Sequence, residues 1–178
     1  MFVRTICFPV TVLGPGRRLG IWLSGCSKRC PGCMSPELQR RRDSDEVPFG
    51  QIRQLVASRS IGVEGVTISG GEPFEQNEEL YRLVAFLKAS VTDDILVYTG
   101  WTLQDVLADK WGSKTLPLMA TLIDGEYIAE KDCGIGLRGS TNQVVHRINP
   151  SYDFDYERCE RCVQSFVYEN KVFMAGLR

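Results

Sequence analysis

Ile21-Trp22-Leu23-Ser24-Gly25-Cys26-Ser27-Lys28-Arg29-Cys30-Pro31-Gly32-Cys33 joins an apolar run to three thiols packed into eight residues. Ile21-Trp22-Leu23 reads as the end of a buried strand. Ser24-Gly25 breaks it, so the thiols fall on a loop leaving the strand's carboxyl end. Three converging thiolates suit a soft metal centre. A structural zinc ion wants four ligands, and no fourth lies nearby in the chain. A four-iron cluster normally takes four cysteines; held by three, it keeps one iron open to an exchangeable ligand. The competing reading is a zinc knuckle completed from elsewhere, by Cys159 and Cys162.

Towards the N-terminus, residues 2–12 are rich in Val, Ile, Thr and Phe and predict a first strand ending near Leu13. Gly14-Pro15-Gly16 then makes a turn that brings backbone close to something, and the basic pair Arg17-Arg18 follows. A plain tight turn and a functional contact explain it equally well. Residues 19–23 are the strand that feeds the cysteine loop.

Beyond the loop, Arg40-Arg41-Arg42 reads as a solvated face, with a phosphate or acidic partner as the alternative. Ile52, Leu55 and Val56 predict a short amphipathic helix over 49–58. Gly65-Val66-Thr67-Ile68-Ser69 is a compact β-branched strand running into Gly70-Gly71-Glu72-Pro73. Leu80, Leu83, Val84 and Leu87 mark one face of a helix over about 77–89. Residues 95–99 form another strand, ended by Gly100-Trp101, and Thr102 caps a helix to Ala108. Residues 118–123 predict a further strand closing on Asp124-Gly125. Strand and helix alternate, which argues for an α/β fold with a parallel sheet, open or partly rolled into a barrel. Cys26, Gly70, Gly100 and Asp124 each follow a predicted strand, so they share the rim where ligands gather in such folds. Gly70 and Gly71 would let backbone touch a small ligand, and Glu72 would offer negative charge to an ammonium group.

Composition changes after Ile148, dividing residues 1–150 from an appended 151–178 that carries Cys159-Glu160-Arg161-Cys162. A net charge of −1 gives no single-sign field for nucleic acid or an anionic membrane. No apolar run is long enough to span a bilayer, and the N-terminus lacks the pattern of a secretory signal. Seven cysteines, an odd number, fit reduced thiols in the cytoplasm better than a disulfide framework. His146 is the only histidine, which weakens every mechanism needing several imidazoles.

The C-x3-C-x2-C loop together with Gly-Gly-Glu-Pro resembles the radical S-adenosylmethionine superfamily. More narrowly, Gly14-Pro15-Gly16, Cys30-Pro31-Gly32-Cys33, Tyr98-Thr99-Gly100, Ile123-Asp124-Gly125 and Arg138-Gly139-Ser140-Thr141-Asn142-Gln143-Val144-Val145-His146 stand in the order found in the anaerobic ribonucleotide reductase activating enzymes. The resemblance spans about residues 8–147 and implies a partial, open β/α barrel. It implies that Cys26, Cys30 and Cys33 hold a [4Fe-4S] cluster whose fourth iron chelates S-adenosylmethionine. Gly70, Gly71 and Glu72 would steady the methionine end, Thr99 would lie near the ribose, and the backbone of Gly32 to Met34 near the adenine. Asp124, Asn142 and His146 would stand on the far side of the pocket. An electron from an external donor such as a flavodoxin would cleave the carbon–sulfur bond. The resulting 5′-deoxyadenosyl radical would take hydrogen from a glycine of a large glycyl-radical reductase.

Two features depart from that pattern. Met34 stands where these activators commonly carry an aromatic residue, and the tail with its cysteine pair is an addition. Cys133, Cys159 and Cys162 are either ordinary reduced thiols or ligands of a second metal. The tail therefore keeps a second reading in play, a radical maturase of another peptide or protein. A non-catalytic iron–sulfur or zinc module is the third, and it leaves the Gly-Gly-Glu-Pro turn without purpose.

Overall fold

The computed structural model describes residues 1–168 and 171–177. Six strands form one sheet in sequential order: β1 (Val3–Val10), β2 (Arg18–Leu23), β3 (Gly65–Gly70), β4 (Ile95–Tyr98), β5 (Thr121–Asp124) and β6 (Val144–Arg147). β2 to β5 pair in parallel, as the alternation of strands and helices predicts. The two edges do not: β1 runs antiparallel to β2, and β6 antiparallel to β5. The sheet is therefore mixed, with a parallel centre.

The helices are α1 (Phe49–Ala57), α2 (Asn77–Ser90), α3 (Leu103–Ala108) and α4 (Gly112–Thr115). α1 to α3 pack on one face of the sheet. Leu80, Leu83, Val84 and Leu87 of α2 are fully buried there, at the spacing of a helical stripe. They meet Leu19, Ile21, Leu23, Val66, Ile68, Ile95 and Val97, every second residue of their strands. Thr102 caps α3 through a reciprocal capping box with Asp105. The strand predicted to start at Leu118 begins three residues later. Leu116–Leu118 is a 3₁₀ turn, since Pro117 has no N–H for a ladder.

The opposite face of the sheet carries Arg18, Gly20, Trp22, Thr67, Ser69, Leu96 and Tyr98. Two structures cover it. Residues 151–178 supply a hairpin, β7 (Val163–Tyr168) with β8 (Lys171–Gly176), that lays Phe166, Phe173 and Ala175 over Cys7, Val10 and Trp22. Phe173 meets Trp22 edge-on at 4.8 Å, and Gln164 Nε2 donates to Pro9 O at 2.9 Å. Nearer β5, Leu137, Phe154 and Tyr156 pack on Leu96 and Ile123.

Between these covers lies a buried ion pair. Arg18, half of the pair read from the sequence simply as basic, is fully enclosed. Its guanidinium donates to Asp94 Oδ2 at 2.6 Å, Asp94 Oδ1 at 3.1 Å, Thr67 Oγ1 at 2.7 Å, Val66 O at 2.7 Å and Pro15 O at 3.2 Å. Every donor direction of the fork is used. This explains Gly14-Pro15-Gly16: a Cβ at Gly14, where φ is +126°, would stand 2.9 Å from Arg18 Cδ. The turn lids a buried cation at the amino end of β2, away from the cysteine rim.

Candidate iron–sulfur and cofactor cleft

The carboxyl ends of β2, β3 and β4 open on a cleft that stays partly open to solvent. Cys26, Cys30 and Cys33 line it, facing Gly70, Gly71, Glu72, Thr99 and Gly100. Of the four rim positions expected from the strand ends, Cys26, Gly70 and Gly100 meet in this cleft and Asp124 does not line it.

Backbone pairing fastens the cysteine loop there. Gly71 N donates to Leu23 O at 2.8 Å and Glu72 N to Gly25 O at 2.7 Å, while Gly25 N and Cys26 N donate to Leu38 O and Gln39 O. A tight turn sets the last two thiols, with Cys33 N donating to Cys30 O at 3.2 Å. Gly32, at φ +71°, takes a conformation that a side chain would resist. The two rim glycines line the cleft and have a further purpose besides the one predicted. A Cβ on Gly71 would lie 2.2 Å from Gly25 O, and one on Gly70 2.3 Å from Leu23 O. They let β3 press against the root of the cysteine loop, and so position the thiols as well as lining the cleft. Gly71→Ala is expected to cost about 1–3 kcal/mol in chemical denaturation, because the atoms met are backbone and must shift. It should also lower the iron retained after anaerobic reconstitution; unchanged stability and iron would contradict this role.

Glu72 is 1% exposed, and its carboxylate spans two strands. Oε1 accepts from Thr99 Oγ1 at 2.6 Å and Phe74 N at 3.0 Å, and Oε2 accepts from Gly100 N at 2.7 Å. Burial pushes its pKa up, and these three donors oppose the shift. Burial likewise pushes the Cys26 and Cys30 thiols up, helped at Cys30 by the nearby Glu126 carboxylate. Cluster binding at those positions must therefore release protons.

Met34 lines the cleft, whereas Asp124, Asn142 and His146 are absent from its wall. Asp124 Oδ2 accepts from Leu103 N at the start of α3 and lies 3.1 Å from His146 Nε2. Asn142 Nδ2 donates to Glu126 O. From the same strand ends come Gly125, Tyr127, Gly139 and Gln143, which do line the cleft. Gln143 Nε2 donates to Gly125 O at 2.7 Å. Lys28 and Tyr98 also line it unforeseen. Tyr98 could have been found by counting alternate residues along β4, since it follows Leu96 on the face away from the helices. Cys133 and Cys162 are exposed and Cys159 partly so. Gly136 N donates to Cys159 O, and Arg161 bridges to Gly136 O and Asp132, so the two segments run side by side. Among the described residues no three Cys, His, Asp or Glu side chains converge on a single-ion metal site.

The donor set fits a cluster with one open iron. The cleft wall has three thiols, and no fourth cysteine or histidine accompanies them among the described residues. Tyr98 Oη is buried without a hydrogen-bond partner among the described residues, and burial pushes that phenol up.

Comparison with known proteins agrees with this class. Residues 12–146 match the family model described as a 4Fe-4S single cluster domain. The chain is 30% identical over 149 residues to the anaerobic ribonucleoside-triphosphate reductase-activating protein of Escherichia coli (strain K12), covering 79% of this chain and 96% of that one. The protein of that name from Vibrio cholerae is 34% identical over 149 residues, covering 79% and 94%. The one from Enterobacteria phage T4 is 30% identical over 136 residues, covering 74% and 85%. The chain belongs to the family of anaerobic ribonucleoside-triphosphate reductase-activating proteins, built on a 4Fe-4S single cluster domain.

Proposed function

We propose that this protein is a radical S-adenosylmethionine enzyme that generates a glycyl radical on an anaerobic ribonucleotide reductase. One observation carries the reading: three thiols, with no fourth cysteine or histidine beside them among the described residues, line a cleft at the carboxyl rim of a parallel sheet. The names of the relatives supply the partner. Cys26, Cys30 and Cys33 would hold a [4Fe-4S] cluster. Gly70, Gly71 and Glu72 would bind the methionine end, Thr99 the ribose, and Gly32 with Met34 the adenine. Bound there, cluster and cofactor would supply reductive cleavage of the sulfonium and hydrogen abstraction.

The chain's own share is positioning and shielding. The backbone pairs from Gly71 and Glu72 hold the thiol loop against β3. Glu72 locks the ends of β3 and β4 together through Thr99 and Gly100. Lys28 adds a positive charge to the cleft wall. A curled sheet, as a partial barrel, and a cytoplasmic site of action with a flavodoxin-like electron donor belong to the same reading. Among the described residues no helix is long and apolar enough to cross a membrane.

A second reading directs the same chemistry at another peptide or protein. The tail favours it, since residues after 146 lie beyond the matched family region. The deciding test is anaerobic incubation of the reconstituted protein with S-adenosylmethionine, a strong reductant and the reductase of the same organism. The expected result is 5′-deoxyadenosine together with a glycyl-radical EPR doublet on the reductase. 5′-Deoxyadenosine without the doublet moves the partner to another protein, and neither product from a fully loaded cluster defeats both readings.

A further inference from the structure

The hairpin β7–β8 has two unlike faces. Its inner residues Phe166, Phe173 and Ala175 complete a core cluster. Most of its outer residues are apolar too: Val163 is 45% exposed, Val167 70%, Val172 67% and Met174 50%, with Ser165 the polar residue among them. Register places Val167 directly opposite Val172, so the exposed valines form a patch rather than scattered points.

The position of that patch gives it meaning. Between β8 and the cysteine loop runs a groove lined by Val163, Val172 and Phe173 on one wall and by Cys33, Met34 and Pro36 on the other. Both walls continue into the cofactor cleft. On the loop side Cys33, Met34 and Ser35 border groove and cleft alike, and on the hairpin side Gly176 borders the groove while Leu177 borders the cleft. Glu37 is the one charged residue among the described residues lining the groove. A segment entering along it meets the apolar Val163, Val172 and Phe173 and arrives at the cysteine loop.

We infer that the outer face of β7–β8 and this groove dock an extended apolar segment of the protein substrate, next to the residue that surrenders its hydrogen. The inference rests on the proposed function and deepens it, assigning to the appended tail the selection of a partner. A macromolecular substrate must bring a backbone Cα to the cofactor, and a surface continuous with the cleft fixes its approach. An extended peptide laid along the hairpin meets its outward side chains at every second residue.

The test compares the wild-type holoprotein with Val163→Glu/Val172→Glu and Val163→Thr/Val172→Thr, with the anaerobic ribonucleotide reductase of the same organism as the probe. Reductase binding is expected to weaken by at least about tenfold in the glutamate variant and about threefold in the threonine variant. Cleavage of S-adenosylmethionine with a chemical reductant, without reductase, should stay within about twofold of wild type, which also reports an intact fold. Reductase affinity equal to wild type in the glutamate variant overturns the inference. So does a wild-type protein that fails to bind the reductase, or a glutamate variant that merely turns a dimer into a monomer with reductase affinity unchanged. Failure of the enzymatic reading is seen separately, as absence of cleavage by the loaded wild-type protein whatever the binding result.

Discussion

Cys30→Ala is expected to abolish both cluster retention and cleavage of S-adenosylmethionine, to background. Cys30 is the middle thiol of the loop, with its carbonyl held by Cys33 N, and it lines the cleft. With it gone two thiols remain in the cleft wall, and no cysteine or histidine among the described lining residues can replace it. The paired control is Cys162→Ala. Cys162 is exposed and absent from the cleft, so iron, sulfide and cleavage should all survive. That pattern separates the cluster from a zinc knuckle completed by the tail, in which both substitutions would strip the metal. Cleavage persisting in Cys30→Ala would mean that the thiols are wrongly assigned.

Asp94→Ala is expected to destabilise the fold by about 3–5 kcal/mol, measured by denaturant unfolding. The loss is large because Arg18 is fully enclosed and cannot reach water once its partner is removed. Replacing both residues with apolar ones of similar volume should recover most of the loss, since a buried pair is costly to break and nearly neutral to replace. Chains that remain folded should load iron normally, because the pair lies at the amino end of β2. A loss under about 1 kcal/mol would show that water reaches the guanidinium after all.

That ion pair also marks where reading the sequence ran out. Val66-Thr67-Ile68 and the helix stripe of Leu80 to Leu87 were legible because each buries residues at the period of its own element. The cysteine loop was legible because thiols at that spacing have few other uses. Arg18 was not, since its partners Thr67 in β3 and Asp94 just before β4 are distant in the chain and no local pattern announces them. Gly71 was recognised as a place of close approach, but the neighbour turned out to be the loop that carries the cysteines. Leu118 misled because its apolar neighbours suggested a strand while Pro117 held the chain in a turn. β6 escaped notice as a strand, being only half-buried at the sheet edge. Tail residues Phe173 and Ala175 alternate with the exposed Val172 and Met174, so neither face looked like the inner one until Trp22 supplied a surface to cover.

The most direct measurement is the metal content and EPR spectrum of the anaerobically reconstituted protein, before and after adding S-adenosylmethionine. One [4Fe-4S] cluster per chain is expected, and its reduced-state signal should change shape when the cofactor is added. Bound zinc without sulfide, or a cluster whose spectrum the cofactor leaves untouched, would contradict the assignment of Cys26, Cys30 and Cys33.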